Sequence, residues 1–177
     1  MNLKDCHSFG DFRELARRKL PSPIFNYIDG AADDETTYDR NTKCFEDCDL
    51  VPNVLRGVED INMSVEVLGQ KLEMPIYCSP TALQRVFHHQ GEYAVAAAAD
   101  KYGTLFGVSS LGTVSLSEVR QKYNGPQCYQ FYFHKDRSLN QVMLENAKQA
   151  NVDYLFVGGS LVVTDTLDKV VAAIKAN

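Results

Sequence analysis

The spacing of apolar and polar positions divides the chain into two rhythms. Over the first 74 residues the pattern is mostly helical. Leu15, Ala16 and Leu20 share one face of a helix predicted from Phe9 to Leu20, and Pro21 and Pro23 end it. A second helix is predicted from Pro23 through Ile28, closed by Asp29-Gly30, and a third from near Asp33. Residues 46–61 carry no period. Ser64–Leu68 and Lys71–Met74 flank Gly69-Gln70 as a small β-hairpin.

From Pro75 the rhythm changes to strand, helix, strand, helix. Strands are predicted at Pro75–Ser79, Thr104–Ser109, Gln127–Phe133 and Tyr154–Val157. Between and after them come an alanine-rich helix over Gly91–Tyr102, a helix over Ser115–Tyr123, one over Ser138–Ala150 and an amphipathic one over Thr166–Ala176. Ser115 followed by Glu118 has the spacing of a capping box. Four strand–helix units in a row predict a parallel sheet with right-handed crossovers. The pattern fits either a small doubly wound sheet or half of a (β/α)8 barrel, and periodicity does not choose between them. The expected organisation is an N-terminal cap with hairpin over residues 1–74, continuous with βα units over residues 75–177.

Composition narrows the function. The 177 residues are 45% hydrophobic and 23% charged, a globular profile, and the net charge of −5 disfavours a nucleic-acid or anionic-membrane surface. No apolar run approaches the roughly 18–20 residues of a membrane helix, and the N-terminus lacks a signal-peptide core, so a cytoplasmic protein is expected. The five cysteines are odd in number and form no CxxC, which disfavours both a disulfide framework and a zinc site. Neither GxGxxG nor GxxxxGK[ST] follows the first predicted strand. The acids Asp29, Asp33, Asp34 and Glu35 are explained by a helix N-terminus rather than by a metal.

Candidate chemistry lies at the strand ends, where parallel α/β folds bind ligands. The first predicted strand runs into Pro80-Thr81-Ala82, the second ends at Ser109-Ser110, and the third carries Gln130 and Tyr132 on one face. Hydroxyls and an amide at three successive ends suit a flat hydrogen-bonding heterocycle. Serine, threonine and glycine also end strands simply because they turn chains. Tyr27 and Tyr132 on their own read equally as packing aromatics.

Several separated motifs together resemble the FMN-dependent 2-hydroxy-acid dehydrogenase family, which includes glycolate oxidase, lactate oxidase and L-lactate cytochrome reductases. They are Asn26-Tyr27-Ile28-Asp29-Gly30 with Ala31–Glu35, Met74-Pro75-Ile76 leading to Pro80-Thr81-Ala82, Gly91-Glu92, Ser109-Ser110, and Gln130-Phe131-Tyr132 with Lys135-Asp136-Arg137. The resemblance covers roughly residues 9–150 and implies a (β/α)8 barrel, of which this chain holds four units. It implies that Pro80, Thr81 and Ala82 lie against an FMN ring and that Ser109 and Gln130 bond its polar edge. Donors there would stabilise the charge that grows on reduction. It implies that Tyr27 and Tyr132 bind the carboxylate and hydroxyl of a small 2-hydroxy acid, phenols being neutral donors at pH 7.

The family's general-base histidine, its flavin-contacting lysine and its phosphate loops belong to the second half of such a barrel. Weak or absent FMN binding and no turnover by these residues alone are therefore expected, with His88, His89 and His134 as loop histidines. The alternative expectation is a non-catalytic half barrel. In both, open strand edges favour self-association, and Tyr77, Val108, Phe131 and Val157 are expected to point into the barrel. Residues 151–177, with Gly158-Gly159-Ser160 where the family has a threonine stretch, resemble instead a segment of the geranylgeranylglyceryl-phosphate synthases.

Overall fold

The computed structural model describes residues 2–158 and 164–176. They fall into two compact units, divided between Ile61 and Asn62.

The N-terminal unit is helical. A short 3-10 turn over Leu3–Asp5 precedes α1 (Phe9–Lys19), α2 (Ser22–Asp29) and α3 (Thr36–Lys43). Ser8 caps α1 by accepting the Asp11 amide, while the Asp11 carboxylate takes the Ser8 amide in return at 2.9 Å. Proline in the first turn starts α2, where its missing N–H costs nothing. Arg13 reaches from α1 to grip Asp29 through two nitrogens at 2.5 and 2.8 Å, and this guanidinium holds the Asp29 carboxyl below its ordinary range. Asp29 therefore ends a helix instead of opening one. α3 begins later than the acidic run suggested, because Asp33 and Glu35 stand at φ 49° and 57°, which no helix accommodates.

The second unit holds the sheet. β1 (Val65–Val67) and β2 (Gln70–Leu72) form the expected hairpin. Then follow α4 (Gln84–Phe87), α5 (Glu92–Lys101), β3 (Phe106–Ser109), α6 (Leu116–Lys122), β4 (Gln127–Phe131), α7 (Arg137–Gln149), β5 (Tyr154–Val157) and α8 (Thr164–Lys175). Strands β3, β4 and β5 pair in parallel and in sequence order, with Ser109 opposite Gln130 and Phe131 opposite Val157.

The expected first strand at Pro75–Ser79 is reduced to one parallel bridge, Cys78 to Phe106. Two hydrogen bonds hold it, Cys78 N to the Leu105 carbonyl and Gly107 N to the Cys78 carbonyl. Pro75 and Pro80 bracket the segment and remove the donors a longer ladder would need.

Alternation along the strands sorts the two faces. Phe106, Val108, Tyr129 and Phe131 are buried in one cluster with Ala96, Ala99, Val119 and Ala147 of the helices, and Leu155 and Val157 pack against it. The opposite face carries Leu105 and Cys128, which pack with Leu72 of the hairpin and with Tyr154 and Phe156. The expectation that Val108, Phe131 and Val157 point inward is thus reversed: they lie under the helices. Tyr77 is half exposed and belongs to neither cluster. The hairpin closes the N-terminal end of the sheet, where the Tyr154 hydroxyl donates to the Leu68 carbonyl. Arg120 locks the same end, donating to the carbonyls of Ala150, Gly125 and Asn151 and to Asp153 at 3.0 Å.

The expected capping box forms as read, with Glu118 N on Ser115 Oγ and Ser115 N on the Glu118 carboxylate. Gly159 and Ser160, at the point of departure from the family pattern, lie outside the described residues.

Candidate active site

The face that is apolar at the hairpin end becomes polar at the other end. Moving up β3, Leu105 gives way to Gly107 and then Ser109; moving up β4, Cys128 gives way to Gln130. Ser109 is buried. Its hydroxyl lies 3.4 Å from Gln130 Oε1, as does that of Ser110. Gln130 Nε2 donates to the Gly158 carbonyl at 3.2 Å, so the amide is held across from β3 to β5. Ser109 and Gln130 therefore share one face at the C-terminal edge, as a common ligand requires.

The segment after the Cys78 bridge lies beside them. Pro80 is packed so closely on Gly107 that a Cβ there would come within 2.6–2.8 Å of three proline ring atoms. Thr81 and Ala82 are partly buried, with the Thr81 hydroxyl on the Ser79 carbonyl and the Thr81 carbonyl accepting from Gln84 Nε2. Tyr132 follows β4 directly and is 37% exposed. Tyr27 lies on α2 of the N-terminal unit and is 61% exposed.

The histidines stay in loops. His88 and His89 are exposed, their rings 4.4 Å apart. His134 is held through its backbone, which exchanges two 2.8 Å hydrogen bonds with the buried Asn140 side chain. Among the described residues no group of three or more His, Cys, Asp or Glu side chains is placed to hold a metal. Among them, too, no helix is long and apolar enough to cross a membrane.

Two residues beside the site appeared in the sequence motifs but were given no role there. Ser110 joins Ser109 on the Gln130 amide, and the serine doublet was the available signal. Glu92 is fully buried and takes the Thr113 amide at 2.7 Å and the Thr113 hydroxyl at 2.6 Å. A lone acid opening a helix reads as a surface residue, so only its place beside Gly91 hinted at more.

Comparison with known proteins identifies the family. Residues 16–166 match the family model described as FMN-dependent dehydrogenase. The chain belongs to that family. Among relatives, an L-lactate dehydrogenase from Vibrio parahaemolyticus is 39% identical over 145 residues, 82% of this chain and 38% of that protein. Glycolate oxidase 1 from Oryza sativa subsp. indica is 37% identical over 79% of this chain and 38% of its own length. Among solved structures, an active chimera of (S)-mandelate dehydrogenase superposes with a TM-score of 0.78 at 28% identity, covering 90% of this chain and 46% of that one. A mandelate oxidase gives 0.76 at 29% identity, covering 85% and 45%. The chain thus spans 38–46% of the length of these four proteins. The family match also runs on to residue 166, into the segment from residue 151 whose sequence resembles another family.

Proposed function

We propose that this chain supplies the flavin-facing wall of an FMN-dependent oxidoreductase that converts an L-2-hydroxy acid to the 2-oxo acid, within a (β/α)8 barrel. The observation that carries the reading is the Ser109–Gln130 pair on one face at the C-terminal edge of a parallel sheet. The residues there fit the cofactor. Gln130 offers both an acceptor and a donor, Ser109 and Ser110 offer hydroxyls that rotate to suit, and Pro80, Thr81 and Ala82 offer small, partly buried side chains that are mostly apolar. FMN, when bound, supplies the acceptor for the hydride of the substrate carbon.

In this reading Ser109 and Gln130 bond the polar edge of the ring, where charge grows on reduction. Tyr132 donates to the substrate's carboxylate or hydroxyl and so helps orient its C–H bond; a substrate role for Tyr27 rests on the family resemblance alone. These residues bind and orient; none is assigned the hydroxyl proton. A cytoplasmic location belongs to the same proposal. The likeness of residues 151–177 to geranylgeranylglyceryl-phosphate synthases contributes no site residue to it.

Quenching of FMN fluorescence on titration with the purified protein tests the reading. Weak but saturable quenching is expected, because the phosphate loops belong to the other half of such a barrel, and it should weaken about tenfold further in Gln130→Leu, which loses hydrogen bonds of about 0.5–1.5 kcal/mol each. Equal quenching by the parent and Gln130→Leu removes the assignment.

A second reading has one specific observation behind it. Among the described residues β5 pairs only with β4, which leaves backbone donors and acceptors along its other side. A half barrel that self-associates through such edges, without flavin, would sediment as a dimer or larger at micromolar concentration. A monomer that also binds no apolar dye excludes it.

A further inference from the structure

We propose that Glu92 is a positioning residue: a buried carboxylate that fixes, through Thr113, the loop after β3 and the loop after the Cys78 bridge against each other. The inference rests on the flavin reading above, because these two loops carry the residues assigned to the ring.

Glu92 opens α5 with its side chain fully buried, and among the described residues no ion pair neutralises it. A carboxylate is an expensive choice for a core position unless its donors are specific. Here they are. Both oxygens are used, one by the Thr113 amide at 2.7 Å and the other by the Thr113 hydroxyl at 2.6 Å. That hydroxyl also accepts the Arg85 amide at 3.2 Å. Having accepted from one side, it gives its hydrogen to the other, so Thr113 is a relay between Arg85 and Glu92.

A second tie runs in parallel, Leu83 N to the Leu111 carbonyl at 3.1 Å. The chain is tight at both ends of the first loop. Leu83 stands at φ 55°, and Gly91 at φ 52° has no room for a Cβ, which would meet Arg85 Cγ at 2.7 Å.

The second loop passes its position on to the ring-facing hydroxyl. Leu111 N donates to Ser109 Oγ at 3.1 Å and Gly112 N to the Ser109 carbonyl at 3.0 Å. A shift of residues 111–113 therefore turns Ser109, and the same shift releases residues 83–85 that follow Pro80–Ala82. One carboxylate thus sets the spacing between the surface under the ring and the hydroxyl at its edge.

The test uses Thr113→Val, Thr113→Ser and Glu92→Gln in the full chain. Two readouts are taken: amide hydrogen exchange across residues 83–85 and 111–113, and FMN affinity by fluorescence quenching. Thr113→Val is expected to keep the parent's far-ultraviolet circular dichroism. Its exchange should rise in both segments together and its FMN affinity fall about tenfold. Thr113→Ser, which retains the hydroxyl, should restore both. Glu92→Gln keeps the shape but puts an amide N–H where an acceptor stood, and should move both readouts in the same direction as Thr113→Val. Exchange in Thr113→Val that is unchanged, or that rises in residues 111–113 alone, overturns the proposal, as does failure of Thr113→Ser to restore. A parent protein that binds no FMN refutes the flavin reading, while exchange still decides the coupling of the loops.

Discussion

Replacing Gly107 with alanine adds one methyl group at the centre of the candidate site. Gly107 lies in β3, fully buried, with ordinary strand φ, so alanine brings no backbone strain. What it brings is contact. The new Cβ would stand 2.6 Å from Pro80 Cδ, 2.8 Å from Pro80 Cγ and 2.8 Å from Pro80 N. Carbon atoms rest at about 3.5–4.0 Å, so the ring must withdraw by about 1 Å. A proline ring cannot rotate away, and its backbone is tied two residues earlier by the Cys78 bridge, including Gly107 N on the Cys78 carbonyl at 2.8 Å.

The cost is that of overpacking, about 1–3 kcal/mol. For a protein of this size that lowers the melting temperature by about 2–12 °C. Because Pro80 is assigned to the surface under the flavin, FMN quenching should weaken alongside. Gly158→Ala is the matched control on the same sheet edge, since among the described residues nothing lies within 4 Å of its added Cβ. Thermal melts and FMN titrations of the two variants decide the matter. A Gly107→Ala protein that melts and binds like the parent refutes the argument that Pro80 and β3 are in rigid contact.

Two further outcomes are expected. Arg120→Met removes the donors from four carbonyls, those of Ala150, Asn124, Gly125 and Asn151, and from Asp153 and should cost about 2–4 kcal/mol in urea unfolding; a loss under about 1 kcal/mol would mean water replaces it freely. Burial pushes the Cys128 thiol up to about 11 from 9.0, so it should resist a disulfide reagent at pH 8 until denaturant is added, whereas the exposed Cys44 and Cys48 react at once. Since the folded value lies above the unfolded one, this thiol leaves stability unchanged below about pH 9 and removes about 2–3 kcal/mol between pH 9 and 11, a slope that Cys128→Ala should abolish.

Much of the fold was written locally. The Ser115–Glu118 box and the strand–helix alternation from β3 onward are short-range chemistry and formed where they were read, while the hairpin formed with its turn at Leu68-Gly69, one residue ahead of the expected Gly69-Gln70. The first strand failed because periodicity counts side chains, whereas a ladder counts amide donors, and Pro75 and Pro80 supply none. The inward-facing set failed for a reason contained in the sequence itself. If Ser109 and Gln130 face the site, their neighbours Val108 and Phe131 must face away. Apolar character was allowed to outweigh parity, although helices outside the sheet need apolar partners just as its interior does. The strand-end residues were legible because parallel sheets put ligands there. The burial of Glu92 was not, because it depends on Thr113, 21 positions away.

The hairpin gives the sheet a direction. Leu72 is 1% exposed against Leu105 and Cys128, and Tyr154 reaches over to bond the turn. That end is an apolar floor, and the serine and glutamine edge is a polar rim. A polar heterocycle descending from the rim would meet its last hydrogen-bonding groups at Ser109 and Gln130 and gain none below them. Depth of entry is thus set by solvation as well as by shape. Substitutions that carve space beneath Gly107 should enlarge a hollow suited to hydrocarbon rather than let the heterocycle sink.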